Sequence, residues 1–283
     1  MRADAIAGYL LGVGAGALLL RVRSVRETDA FVPNGHVTAR VRGALVVVTL
    51  AVLVGAWCAG PAFLPTPLDV VRAFGRLWGD GLALHLYVSL TTNLQSIALS
   101  CLLTLPLAYL STLPALRPLA LIVSKLRFLG LTGFVMLFTV VFGGGHALKV
   151  ALIVFGMSVF LLTSIYDIVE SIPREAFDEA RTLRMGRWRM VLEVVVLGHF
   201  DEVLNAIRQN AAVSWMMLTM VEGLVRFEGG LGALMLAQDR HIALDGVFAI
   251  QGLVLVIGLL QDVGFVWLRK MLCPFADLTL ERR

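Results

Sequence analysis

Long apolar runs separated by short polar stretches set the pattern of this chain. A helix needs about 20 apolar residues to cross the hydrocarbon of a bilayer. Gly43–Gly60 is such a run, with Val46 to Val48 and Leu50 to Val54 free of charge. A second extends from about Val88 to Leu110, where Ser111, Pro114 and Pro118 stop the helix. The third is expected over Leu119–Phe142, carrying Lys125 and Arg127 near its start, and Gly143-Gly144-Gly145 breaks the chain after it. Ala147–Tyr166, Val203–Val221 and Val247–Leu268 complete six spans. Ala5–Leu20 is also apolar but short and glycine-rich, with Arg21, Arg23 and Arg26 behind it. No basic run precedes it and no small-residue cleavage site follows it, as a signal peptide would require. It is read as an extra N-terminal membrane helix, the alternative being a helix lying in the interface.

Composition strengthens this picture. Of 283 residues, 58% are hydrophobic and only 16% charged, and the mean hydropathy is +0.85. An ordinary soluble domain carries roughly 25% charge. The formal charge of +4 does not point to nucleic acid, because the basic residues sit in clusters between apolar runs. If the first main span enters from the cytoplasm, the inner segments hold about three times as many arginines and lysines as the outer ones. Arg72, Arg76, Lys149, Arg226 and Arg240 lie outside, and both ends of the six-helix core lie inside. Cys58, Cys101 and Cys273 are far apart in apolar surroundings, and read as small hydrophobes.

One polar segment stands out. Glu170–Val191, between the fourth and fifth spans, has helix character: Ser171 is a possible cap and Pro173 suits a first turn. Glu175, Asp178 and Glu179 favour its N-terminal end, and Ala176, Ala180, Leu183 and Met190 recur at roughly helical spacing. Such an amphipathic helix can lie on the bilayer or dock into a partner's groove.

The run from Asp178 to Gly198 resembles the EAA loop of bacterial ABC importer permeases, with Asp178, Glu179 and Ala180 on its first three positions and Leu197 on a later leucine. The chain is most similar to the nitrate, sulfonate and taurine branch. Leu64-Pro65-Thr66-Pro67 with Val70, His85-Leu86 with Ser89-Leu90, and Phe142 to Gly145 with Lys149-Val150 resemble that branch in order and spacing. So do Arg208, Trp215 and Glu222 in the fifth span, the turn Gly230-Leu231-Gly232, and Asp262 in the sixth. The resemblance covers roughly Leu64–Leu272. It implies an all-α integral membrane fold: a six-helix type I importer permease core at 43–272, with the segment 1–42 before it and a cytoplasmic tail at 273–283. It implies a second permease subunit, cytoplasmic ATPase subunits docked on the loop 170–191, an extracytoplasmic solute-binding protein, and residence in the bacterial inner membrane. The loop contacts it implies are Asp178, Glu179 (the polar anchor), Ala180, Leu183, Arg184, Gly186 and Met190, with Arg181 and Arg187 adding orientation.

Departures accompany the match. Arg184 stands where the loop's glycine is expected, with Gly186 two residues late. Gly198 replaces the proline of a leucine-proline pair, Phe177 adds bulk, and Phe128 and Gly130 replace prolines in the third span. Ordinary divergence accounts for such changes. So does a heterodimeric pore of which this chain is half, since it relaxes the demand for a symmetric interface.

Polar residues within spans are costly and so are candidates for the pathway. Asn93, Gln95, Arg208, Ser214, Trp215 and Glu222 are the pathway candidates. Arg208 suits an anionic or polar solute of the nitrate, sulfonate or taurine kind, unless it pairs with a carboxylate inside the bundle. The sequence has no GxxxxGK[ST] loop, no HExxH and no GxSxG. The chain is therefore read as a transport subunit and not an enzyme, with no metal or cofactor of its own, ATP and magnesium belonging to the partner ATPases. A secondary transporter or channel working without ATP is the competing reading, but it predicts inverted repeats that the sequence does not show.

Overall fold

The computed structural model describes residues 39–58, 60, 63–113, 117–225 and 228–274. The N-terminal segment, including Ala5–Leu20, and most of the tail lie outside the described residues. The described residues form helices joined by short connections, with no strand among them. In order, the helices are α1 (Ala39–Cys58), α2 (Pro67–Gly79), α3 (Leu82–Leu110), α4 (Arg117–Lys125), α5 (Leu131–Phe142), α6 (His146–Ser171), α7 (Arg174–Thr182), α8 (Arg187–Met190), α9 (Phe200–Leu224), α10 (Leu231–Arg240) and α11 (Leu244–Leu272). A short 3-10 turn, Leu126–Phe128, follows α4, and a π-helical segment, Val191–Leu197, leads from α8 toward α9.

The chain divides into two compact units. The first holds α1, most of α2 and residues Ala243–Ala249. Here the motif Leu64 to Asp69 has a local reason. Thr66 caps α2, its hydroxyl and backbone N–H both donating to Asp69 Oδ2, while Asp69 N–H donates back to Thr66 Oγ1 at 3.3 Å. Pro67 fills the first helical position, where no N–H is needed. The Thr66 hydroxyl, and then its N–H, hold the Asp69 carboxyl below its ordinary pKa. The Trp57 indole N–H donates to the Pro65 carbonyl at 3.0 Å, its ring lies 5.9 Å from that of Phe248, and Arg76 pairs with Asp245.

The second unit, residues 77–242 and 250–283, is organised around α6, which packs on α3, α5 and α9. Its core joins Ile97, Met157, Leu161, Leu162, Ile165, Val203, Ile207 and Ala211. Helix α3 is inside-out by the standard of a soluble protein. Ser89, Thr92, Asn93, Ser96, Ser100 and Thr104 are buried on one face, while Leu94, Leu99, Leu102 and Leu103 are exposed on the other. That is the arrangement expected when lipid is the solvent: small polar residues let helices approach, and hydrocarbon covers the leucines. Thr92 and Thr104 quiet their hydroxyls on the carbonyls of Val88 and Ser100.

By length and composition, four described helices can cross a membrane: α1 from Val41, α3, α6 and α11. The third expected span is not one helix. Its two arms, Ile122–Phe128 and Leu131–Phe142, meet at 114°. Leu129 and Gly130 both adopt extended backbone at the bend, and glycine is a poor helix former. Phe134 and Phe138 then pack on Phe155 of α6, with ring centroids 5.1 and 5.5 Å away. Counting this pair as one span gives five. The fifth expected span, α9, is a 25-residue helix, long enough to cross but diluted by Asn205, Arg208, Gln209 and Asn210. The expected six-span count is thus not reached on apolarity alone. Helix α9 instead buries its polar residues Asn210, Ser214 and Glu222 inside the bundle, where intramembrane polar groups belong.

Candidate functional site

The loop between α6 and α9 carries the first group of candidates. Helix α6 runs on to Ser171, whose hydroxyl donates to Ile168 O at 2.7 Å, so Ser171 closes α6 and does not cap α7. Pro173, extended at ψ 144°, is the N-cap of α7 and not part of its first turn. Along α7 Asp178 and Glu179 are exposed, Asp178 pairs with Arg181, and Ala180 is buried. The helix ends in a Schellman turn: Met185 N–H donates to Ala180 O at 3.1 Å and Arg184 N–H to Arg181 O at 2.9 Å. Arg184 sits at φ 56°, in the left-handed region that favours glycine. The glycine expected at this position is a requirement of that turn, and Arg184 meets it with strain. Arg184→Gly is therefore expected to stabilise the protein by about 0.5–1 kcal/mol, strain relief outweighing the freer unfolded chain, and thermal melts in detergent would read it.

Leu183 and Gly186 are exposed, but Met190 is only partly so, which turns one expected apolar contact inward. Trp188, not among the expected contacts, is 70% exposed. A tryptophan flanked by arginines in a polar loop is the signal that could have marked it.

The missing proline at Gly198 also has a cause. The Gly198 N–H donates to Glu193 O at 3.1 Å, the five-residue step of a π-helix, and proline has no N–H to give. A Cβ at Gly198 would stand 2.5 Å from Val194 O. His199 Nδ1 lies 3.1 Å from that same carbonyl.

The pathway candidates separate into four places. Glu222 is fully buried at the end of α9, where Ser89 Oγ donates to it at 2.7 Å and Gly232 N–H at 2.9 Å. Around it the turn before α10 is fastened from three further sides. Leu231 N–H donates to Ser89 Oγ, Gly230 N–H to His85 Nδ1 at 3.0 Å, and Lys149, itself fully buried, donates to Gly229 O at 2.7 Å. The second place joins three helices: Ser214 donates to Asn93, and the Asn93 amide and Trp215 indole both donate to Gln261 Oε1, at 3.0 and 2.9 Å. Third, Arg208 pairs with Asp262 at 3.2 Å and reaches Asn205. Fourth, Gln95 meets His146 at 2.6 Å on another face of α3.

No model of a known protein family matches the sequence. Individual proteins do. The chain is 26% identical over 246 residues to the taurine transport system permease protein TauC of Escherichia coli strain K12, covering 82% of this chain and 89% of that one. A putative ABC transporter permease protein of Methanocaldococcus jannaschii, MJ0413, is 27% identical over 139 residues, 46% of this chain and 52% of that one. Among solved structures, a chain of the MetNI methionine ABC transporter in an inward-facing conformation superposes with a TM-score of 0.57 at 14% identity, over 67% of this chain and 95% of that one. The chain is similar to permease subunits of ABC transporters, a taurine permease among them.

The scattered motifs now have one location. His85, Ser89, Lys149, Glu222 and the glycines of 229–232, spread over more than 140 positions, converge on a single buried fastening of the α9–α10 turn. A second feature is the groove of about 420 Å³ between α9 and α11, bordered by Arg208, Trp215, Thr219, Gln251, Gln261 and Asp262. It holds both charges of one ion pair, with amides and a hydroxyl, beside apolar residues such as Met216, Leu255 and Phe265.

Proposed function

We infer that this permease forms, with a second permease subunit, the translocation pathway of an importer for a small polar solute of the sulfonate or taurine kind. Cytoplasmic ATPase subunits drive it through the loop 170–191, and an extracytoplasmic solute-binding protein delivers the solute. The reading rests foremost on α7: a short helix outside the bundle, pinned at its end by the Schellman turn, that presents Glu179 and Leu183 outward. A rigid, exposed helix of this kind can transmit the closure of a partner as a rigid-body movement. The relative named for taurine supports the solute class. Within that class the Arg208–Asp262 pair favours a charge-balanced member such as taurine over a purely anionic sulfonate, since the guanidinium is already matched by a carboxylate. ATP and magnesium belong to the partner subunits, and both ends of the core are placed in the cytoplasm.

Co-expression with candidate ATPase subunits and purification in detergent tests the coupling. Glu179→Arg places a cation where an acid anchored the dock and leaves a partner charge unpaired, a cost of about 2 kcal/mol or more. ATPase recovery is expected to fall more than about ten-fold, with the permease still folded. Undiminished recovery would move the dock away from Glu179, and no ATPase with the unaltered chain would defeat the importer reading.

A further inference from the structure

The segment after the Schellman turn differs in chemistry from α7. Trp188 is 70% exposed and Leu192, one turn on, 54%; at a spacing of four they share a helix face. On the same segment Leu197 is also exposed, and Val195 is buried beneath. Four arginines accompany this ridge, and two are already matched: Arg181 by Asp178 and Arg189 by Glu193 at 2.6 Å. Arg184 and Arg187 are exposed and form no ion pair with another described residue. The glycine break at Gly198 then separates the segment from α9.

We propose that Arg184, Arg187, Trp188 and Leu192 form an anchor for anionic lipid headgroups at the inner membrane surface, so that the loop docks an ATPase with α7 and grips the bilayer with α8 and the π-helical segment. The proposal rests on the cytoplasmic placement of the loop given above. Three observations select lipid over protein. An exposed tryptophan next to an exposed leucine, on a segment leading directly into a bundle helix, fits the headgroup region, where an indole keeps its ring in the apolar layer and its N–H in water. The two guanidiniums, without an ion-pair partner among the described residues, complement phosphate. The apolar ridge continues along the chain from the loop toward α9. The anchor would fix one end of the loop while α7 moves with its ATPase.

The test uses the full chain with its co-purifying subunits, reconstituted in vesicles of phosphatidylcholine with or without phosphatidylglycerol, in which the acyl chains carry bromine near the headgroup. Bromine quenches nearby tryptophan, and the difference between the unaltered chain and Trp188→Phe isolates Trp188. Strong quenching of that component, greater with phosphatidylglycerol, is expected. With headgroup-labelled phosphatidylglycerol at limiting amounts, Arg187→Gln should lower local enrichment about five-fold at low salt. A Trp188 component untouched by bromine but shifted when the ATPase binds would overturn the proposal and extend the dock to α8. A component silent in both would overturn it in favour of burial against the second permease. Glu179→Arg should leave the quenching intact, so failure of the lipid anchor and failure of the ATPase dock are read separately.

Discussion

Glu222→Ala is expected to destabilise the protein by about 2–3 kcal/mol, because it strands buried hydrogen-bond donors. The side chain it deletes is fully buried, takes hydrogen bonds from Ser89 and Gly232, and is an anionic neighbour of the fully buried Lys149. Without it the Gly232 N–H and the Ser89 hydroxyl lose an acceptor, and Lys149 loses one of its two anionic neighbours, Glu228 being the other. Among the described residues, the hydrogen-bond acceptor of Lys149 is the Gly229 carbonyl at 2.7 Å. The drop in melting temperature in detergent measures the effect. A Glu222→Ala, Lys149→Met double variant should recover part of the loss, because it removes the charge left less compensated. A single-variant loss below about 1 kcal/mol, the level of an exposed pair, would show that the buried network contributes little.

Gly232→Ala should be at least as severe. A Cβ there would lie closer than 3.0 Å to the Thr219 backbone, nearer than real Cβ atoms come, and the obstructing atoms are a carbonyl and its Cα that cannot rotate away. Helices α9 and α10 would have to separate at the turn that Glu222 fastens. Overpacking against mobile side chains costs about 1–3 kcal/mol, and against fixed backbone the upper end or beyond is expected. Gly75→Ala is the control: nothing stands within 4 Å of a Cβ at that position in α2, so alanine should be neutral or slightly stabilising there. Proteolysis of the two variants in detergent would compare them directly, cleavage near 225–232 rising only for Gly232→Ala.

The membrane class was legible because an apolar run of about 20 residues matches the thickness of bilayer hydrocarbon and exceeds what a soluble core element needs. Helices α1, α3, α6 and α11 stand where that pattern puts them. Helix α9 shows the limit of that reasoning. Its polar residues lower its average, yet they are the ones the bundle buries, so helicity and depth depend on neighbours that a single window cannot contain. The bend at Leu129 was hidden because its residues are as apolar as the arms, and only packing of Phe134 and Phe138 on α6 decides the direction of α5. In the candidate site, the family-like residues were visible but their grouping was not: Lys149 and Glu222, 73 positions apart, are gathered on one turn through Gly229 and Gly232. Departures from the family pattern proved locally readable once backbone geometry was known. Arg184 occupies a left-handed position, and Gly198 gives an N–H that proline lacks.

The pairing of Arg208 with Asp262 bears on energetics of a different kind. A cell membrane sustains a voltage, and moving one elementary charge through 100 mV takes about 2.3 kcal/mol. An arginine travelling alone on α9 would feel that field and make the transport cycle depend on it. Bound to Asp262 on α11, it moves as part of a dipole with no net charge, provided the two helices move together. On the function proposed above, this pair then adds no net charge movement to the transport cycle.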